Sequence, residues 1–368
     1  MSNTVQTTGV GGFLASRYGK MVVSLVALIA VLVVLVQGFL YMRDAVLSRL
    51  AIAILALVMG IGGIWALLAS LNFFVESLGE RARVKLRPFV FAGPAVLVLG
   101  IYIVYPALRT LYISFLDRTS TMFVGLRNYA FIFTDPDMII ILRNTLGWVV
   151  VVPVVAVTFG LLIAVMTDRL SSTMEKVTKS LIFLPLAISF VGASVIWRFV
   201  YYYQPPGSEQ IGLLNAVVTA LGGDPVAWLL IRPWNNLFLM FIMVWLQTGF
   251  AMVILSASVK GVPKDLLEAA RIDGAGEIRV FFNVTVPYIS GTILTVWTTI
   301  LFLVLKIFDI VYVMTSGRFE TGIVASRFYE EAFVFRNFGR GAALAVFLFI
   351  VVIPFMIQNV RSMQERRR

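Results

Sequence analysis

From Pro263 to Pro287 the sequence reads PKDLLEAARIDGAGEIRVFFNVTVP, the one long polar interruption in an otherwise apolar C-terminal half. Proline suits the first turn of a helix, where its missing N–H would be unpaired anyway, and Gly274 suits the C-terminal cap because it enters the left-handed region without penalty. The spacing predicts a helix from Pro263 to Asp273, about 16 Å long at the usual rise. A bilayer core is about 30 Å thick, so this helix lies at the membrane surface. Leu266, Leu267 and Ala270 share one side of it, while Lys264, Asp265, Glu268 and Arg271 take much of the rest, and Ala269 and Ala270 keep the middle thin. After Gly274, Ile278, Phe281 and Phe282 are expected to anchor the loop to the bundle. Such an element is a two-sided docking surface; the plainer reading is a solvated loop between two membrane helices.

Outward from this loop, apolar runs cover roughly 21–42, 50–74, 89–116, 142–167, 179–203, 237–258, 286–314 and 339–360. Each meets the ~20 residues that a crossing requires. Hydrophobic residues make up 60% of the 368-residue chain, well above the roughly 45–50% of soluble domains. The class is therefore an all-α integral membrane protein with about eight transmembrane helices. There is no cysteine and no histidine, which excludes disulfides, thiolate chemistry and the usual zinc sites; no metal site is expected. The net charge of +11 fits membrane orientation rather than nucleic acid, since no basic run is interleaved with stacking aromatics. The apolar run after the N-terminal tail is too long for a signal-peptide core and has no small-residue cleavage site, so it reads as a retained first span.

An even span count puts both termini on one side. If that side is cytoplasmic, the inner segments hold more than half of the 30 basic residues and every lysine except Lys306, as the positive-inside bias requires. The 263–287 loop then faces the cytoplasm. The first two spans look generic, with Gly60, Gly62 and Gly63 expected to permit close helix packing. The run Arg81 to Arg87 reads as a solvated collar at the inner edge.

Glu268-Ala269-Ala270, three residues, Gly274, nine residues and Val284-Thr285-Val286-Pro287 together resemble the EAA signature of bacterial ABC-importer permeases, with conservative valines in its last segment. PALRTLYISF (Pro106 to Phe115), FVGLRNYAFIF (Phe123 to Phe133) and LRNTL (Leu142 to Leu146) resemble, in the same order, segments of carbohydrate-importer permeases. The resemblance, over roughly Pro88 to Val360, implies a type I ABC importer permease fold in the bacterial cytoplasmic (inner) membrane. It implies an accessory tail and two helices over 1–80, a third helix and external loop over 81–141, and a permease core over 142–360. The coupling loop spans 259–287 and a basic cytoplasmic tail 361–368. It also implies that Glu268, Ala269, Ala270, Arg271, Asp273 and Gly274 couple to an ATPase.

Polar residues inside apolar runs mark a pathway. Gln247 and Thr248 sit mid-span between Trp245 and Phe250, and a buried amide there needs a partner or a wet cavity. Ser189 in the fifth run is similar but cheaper to bury. By resemblance to maltose-type permeases, Leu246, Gln247, Thr248 and Phe250 line a sugar cavity, while an ungapped alignment puts Val304 and Ile307 where the maltose permease has polar sugar contacts. Lys306 and Asp309, three residues apart, are expected to form an ion pair, with substrate contact by Asp309 as the alternative. Their stretch, LKIFDIVYVMTSGRFET, resembles alpha-glucoside permeases, except that Ser316-Gly317-Arg318 replaces the frequent GGP. In the outer loop, roughly 204–236, Ile211, Leu214, Val217, Val218 and Leu221 predict an interfacial helix ended by Gly222-Gly223, with Asn215 and Thr219 on its solvated side. Trp228 and Trp234 are expected in the interfacial aromatic belt.

No phosphate-cradling Walker loop is present, the single Gly19-Lys20 pair being followed by Met21. ATP and Mg are therefore expected on partner subunits and no cofactor on this chain, which reads as a permease and not an enzyme. The family implies a second homologous permease, two cytoplasmic ATPase subunits and an extracytoplasmic sugar-binding protein, working to import a carbohydrate of the alpha-glucoside or disaccharide kind. The rival reading is a self-contained ion-coupled secondary transporter built on Lys306 and Asp309.

Overall fold

The computed structural model describes residues 17–44 and 47–365. The N-terminal tail before Arg17 and the Arg366 to Arg368 cluster lie outside the described residues. Among these residues the regular structure is helical, apart from one β-bridge between Leu116 and Phe123. The helices are α1 Arg17–Asp44, α2 Arg49–Glu76, α3 Glu80–Ile113, α4 Arg127–Thr134 and α5 Pro136–Asp168, followed by α6 Ser172–Phe183, α7 Phe190–Val200, α8 Leu213–Ala220 and α9 Asn235–Lys260. Then come α10 Lys264–Ile272, α11 Glu277–Leu305, α12 Asp309–Thr315, α13 Val324–Tyr329 and α14 Phe338–Glu365.

Seven helices are each long and apolar enough to span: α1, α2, α3, α5, α9, α11 and α14. The fifth expected span is not a straight helix. Its residues fold as α6 and α7, joined by a 3₁₀ turn at Leu184–Ala187 and bent by 103°, and they make an eighth span only if counted together. The change of direction falls at Ile188 and Ser189, whose backbone is extended, just after the 3₁₀ turn that Pro185 opens. The seventh expected span, 286–314, likewise divides: α11 stops at Leu305 and α12 starts afresh at Asp309. At its start, α5 runs ahead of the apolar run because Asp135 caps it, its carboxylate accepting from the amides of Asp137 at 3.1 Å and Met138 at 3.2 Å, with Pro136 in the first turn.

The chain divides into two compact units, Met1–Leu108 and Arg109–Arg368. In the first, α1 and α2 pack as an antiparallel pair. A side chain on Gly63 would overlap Leu35, and one on Gly38 would overlap Met59, whereas Gly60 and Gly62 have nothing within 4 Å. Both contacts are with the ends of flexible side chains, so Gly63, and Gly38, which the local sequence does not mark out, ease this packing without fixing it.

The second unit is built around α9, whose most apolar window is 61% buried against 39% for α11 and 33% for α5. Small residues set the spacing. A Cβ on Gly160 of α5 would stand 2.5 Å from Ala251 Cβ and 2.8 Å from the Met252 amide, so those backbones meet with only a glycine between them. A second, smaller core of Phe131, Ile132, Met138, Ile141, Val324, Ala343 and Leu344 joins α4, α5, α13 and α14, with the Arg340 guanidinium 3.9 Å above the Phe131 ring.

Wide π-turns precede two prolines: the Tyr105 amide reaches back to Gly100 ahead of Pro106, and the Val286 amide to Phe281 ahead of Pro287. Opening the helix by one residue relieves the clash between the proline ring and the carbonyl of the preceding turn.

Ion pairs fasten one end of this unit. Lys260 lies 3.5 Å from Asp168 and 2.6 Å from Glu175, and Arg169 is 4.0 Å from Glu277. At the opposite end, the turn 316–322 takes left-handed backbone at Ser316, Gly317, Phe319 and Glu320. Three asparagine amides hold it: Asn144 donates to the carbonyls of Glu320 and Gly322, Asn235 to Phe319 and Asn236 to Glu320, at 2.7–3.1 Å.

The outer loop forms the expected helix, shortened to Leu213–Ala220 and ended by Gly222 at φ +83°. Asn215 is not on a solvated face, however. It is fully buried, donates to the carbonyls of Tyr202 and Val226, each at 3.0 Å, and accepts from the Val226 amide at 2.8 Å and the Trp228 indole at 3.2 Å. Every polar group of the amide is used, so Asn215 fixes the loop in place of backbone pairing. Trp228 therefore has an internal partner, whereas Trp234 is exposed.

Candidate coupling helix and translocation cavity

The coupling stretch folds as α10, which begins at Lys264 with Pro263 as its cap residue rather than inside its first turn. Gly274 has φ +85°. Its amide donates to the Arg271 carbonyl at 3.0 Å, and the Ala275 amide donates to Ala270 at 3.0 Å. These two bonds are the Schellman pattern, which satisfies carbonyls a helix end otherwise leaves unpaired. Leu267 and Ala270 are half-buried, while Glu268, Ala269, Arg271, Asp273 and Gly274 are exposed. Val262 and Val280, both buried, hold the two ends of the loop. The anchors differ from expectation: Ile278 and Phe282 face outward, and only Phe281 is half-buried. Ile272 is 85% exposed, an apolar side chain at the end of α10 that periodicity did not single out.

Arg271 is committed within the chain. Its Nε donates to Glu277 Oε1 at 2.8 Å and a terminal nitrogen donates to Oε2 at 3.3 Å. The Glu277 carboxylate holds the Arg271 guanidinium above its usual pKa through this hydrogen bond. Both groups are half-exposed, so the pair is weak in energy and matters for geometry. It ties α10 to the start of α11, and Glu277 in turn approaches Arg169 at the end of α5. These exposed pairs connect α10 with the ends of α11 and α5.

Beside the α6–α7 bend, a cavity of about 420 Å³ is lined by Leu186, Ile188, Ser189, Phe190, Val191, Gln247, Leu303 and Asp309. Its volume lies within the ~300–1,000 Å³ usual for small-molecule sites. The α6–α7 bend creates its wall, and Gly249 lets α6 approach, since a Cβ there would stand 2.4 Å from the Ile182 carbonyl oxygen. Ser189 caps α7, its hydroxyl accepting from the Gly192 amide at 3.1 Å. Gln247, near the middle of α9, is 1% exposed, and its Oε1 has no hydrogen-bond partner. An unpaired buried amide oxygen is costly, and that cost is relieved when the side chain turns toward the cavity it lines to meet a ligand donor.

Three of the expected pathway residues meet here: Ser189, Gln247 and Asp309. The others do not line this cavity. Leu246 is buried in the core, Phe250 packs half-buried against it, and the Thr248 hydroxyl donates to the Val244 carbonyl at 2.7 Å. Consecutive helical positions turn by about 100°, so one stretch cannot place all four side chains on one wall. Val304 and Ile307 are likewise core residues, and Leu303 takes the lining position.

Lys306 and Asp309 do not pair. Their i, i+3 spacing brings side chains together only within one helix, and the chain leaves helical geometry at Lys306 and Phe308. Lys306 instead faces a separate, mostly apolar groove beside Phe308, Phe328 and Tyr329.

The family described as "binding-protein-dependent transport system inner membrane component" matches residues 137–368. The chain belongs to this family. It is a multi-pass inner-membrane subunit, the permease of an ABC importer. Over 279 residues the permease is 53% identical to an osmoprotective compounds uptake permease protein of Synechocystis sp., covering 76% of this chain and 99% of that protein. It is 49% identical over 291 residues to an alpha-glucoside transport system permease protein of Rhizobium meliloti, covering 78% and 85%. In fold it is similar to a chain of a bacterial ABC transporter involved in import of the acidic polysaccharide alginate, with TM-score 0.66 and 19% identity over 77% of this chain and 99% of that one. The family assignment removes the secondary-transporter reading, and the unpaired Lys306 and Asp309 take away the ion-coupling pair it relied on.

Proposed function

We propose that this permease passes a carbohydrate of the alpha-glucoside or disaccharide class into the cytoplasm. In this reading two ATPase subunits bind ATP and Mg and engage α10, a second homologous permease completes the pathway, and an extracytoplasmic sugar-binding protein delivers the substrate. Both termini are cytoplasmic. ATPase closure pushes α10, and the Arg271–Glu277–Arg169 contacts carry the motion to α11 and α5, so that the two permeases rock about a midplane site. Glu268, Ala269 and Asp273 serve the docking face, and Gly274 keeps the helix end in register.

The observation that carries the substrate assignment is the orphan Gln247 oxygen in a cavity shared with Ser189 and Asp309. Together with the alpha-glucoside relative, it favours a hydroxyl-rich ligand. A hydrogen bond to a sugar hydroxyl contributes about 0.5–1.5 kcal/mol net, and a stranded partner costs about 1–3 kcal/mol. Gln247→Leu is therefore expected to lower sugar flux roughly five- to tenfold at unchanged complex yield. Unaltered flux and substrate preference would place the sugar path elsewhere.

The orientation is testable because the chain has no cysteine. Single cysteines at the exposed Ser172 and Ser208 should react with a membrane-impermeant thiol reagent from opposite faces, Ser208→Cys from outside and Ser172→Cys only after the inner face is opened. Labelling of both from outside overturns the arrangement.

A further inference from the structure

The cavity beside the α6–α7 bend has a charge asymmetry that the fold does not require. Asp309 is the one ionisable side chain among the residues lining it, and none of the ion pairs among the described residues involves it. The nearest basic residue in sequence, Lys306, turns into the other groove because the chain breaks between the two. The remaining polar groups add no positive charge. Ser189 Oγ already accepts from the Gly192 amide, and the Gln247 oxygen is an unused acceptor on a side chain 99% buried, its residue being 1% exposed. The cavity therefore combines an acid with an orphan acceptor inside walls of Leu186, Ile188 and Leu303.

We propose that Asp309 is a specificity-determining residue that makes this cavity select uncharged, hydroxyl-rich sugars and reject sugar acids. The proposal rests on the carbohydrate reading above and narrows it. Hydroxyl groups of a neutral glycoside donate to the Asp309 carboxylate, and a turn of the Gln247 side chain toward the cavity it lines brings its buried Oε1 to a further hydroxyl. A uronate brings a second negative charge into a site of low polarity, where like charges repel strongly and none of this cavity's lining residues supplies a cation. The permease fold itself accommodates acidic cargo, as the alginate importer illustrates, so exclusion of anions has to come from side chains.

The test uses the assembled importer in lipid nanodiscs without the sugar-binding protein, so that the permease alone does the selecting. Equilibrium binding is measured for trehalose and maltose, each beside its uronic-acid form. The wild type is expected to bind at least one neutral disaccharide at least about tenfold more tightly than its uronate. Asp309→Asn keeps the side-chain volume and removes the charge; the ratio should fall to within about threefold, chiefly through tighter uronate binding. Asp309→Glu, a conservative variant, should keep the ratio, and intact complex yield in both separates selectivity from misfolding. A ratio unchanged in Asp309→Asn, with neutral binding retained, overturns the role of Asp309 but leaves the carbohydrate reading standing. Failure of the wild type to bind any neutral disaccharide overturns both.

Discussion

Replacing Gly274 by valine is expected to reduce uptake more than about tenfold while the permease still inserts and assembles. The strain is conformational. A Cβ at Gly274 would meet nothing within 4 Å, but the backbone sits at φ +85°, where a β-branched residue is a genuine outlier. Left-handed backbone costs an ordinary residue about 1–2 kcal/mol. Giving it up releases the two Schellman bonds to Arg271 and Ala270 and frays the end of α10, which carries Asp273 and Ile272. Asparagine tolerates the left-handed region, so Gly274→Asn should retain most of the activity. Uptake by purified complexes of equal yield measures both, and Glu268→Lys, which reverses charge on the same exposed face, should match the valine variant. Wild-type uptake by both Gly274→Val and Glu268→Lys would remove α10 from the coupling route.

Gly160→Leu has the largest expected effect on folding. The introduced side chain runs into Ala251 Cβ and the Met252 backbone, neither of which has a flexible end to yield. Overpacking of this kind costs about 1–3 kcal/mol, and more where backbone must move. The outcome is a fall in folded permease and in its thermal midpoint, read by size-exclusion chromatography after graded heating. Gly60→Leu is the control: a Cβ there meets nothing within 4 Å, and the midpoint should hardly change. Equal midpoints for the two variants would show that α5 and α9 do not depend on this contact.

The parts of this molecule legible in its sequence are those set by local chemistry. Pro263 and Gly274 mark a helix because one restricts a backbone angle and the other permits a rare one, and the structure differs there only in the register of the first turn. Gln247 is legible because an amide inside an apolar run has few ways to be satisfied. What escaped local reading depends on direction and on distant partners. The bend between α6 and α7 lies in a run whose hydropathy is continuous, and a sum over residues carries no angle. Lys306 and Asp309 have helical spacing in the sequence but not a shared helix, so their expected pair vanished with the break at Phe308. Asn215 looked like half of a polar face. Its four partners come from Tyr202, Val226 and Trp228, and no periodicity within α8 points to them. Phe250 and Leu246 show the remaining limit, since a motif nominates a stretch whereas a helix presents only part of each stretch to a cavity.

The most direct test of the account is ATP-driven flux in proteoliposomes that contain the permease, its second permease and both ATPase subunits, with the sugar-binding protein supplied outside. Uptake of a labelled alpha-glucoside should require internal ATP and the binding protein, persist without any ion gradient, and stop when the ATPase subunits are omitted. Uptake by the permease in the absence of ATPase subunits, driven by an imposed proton or sodium gradient, would contradict it.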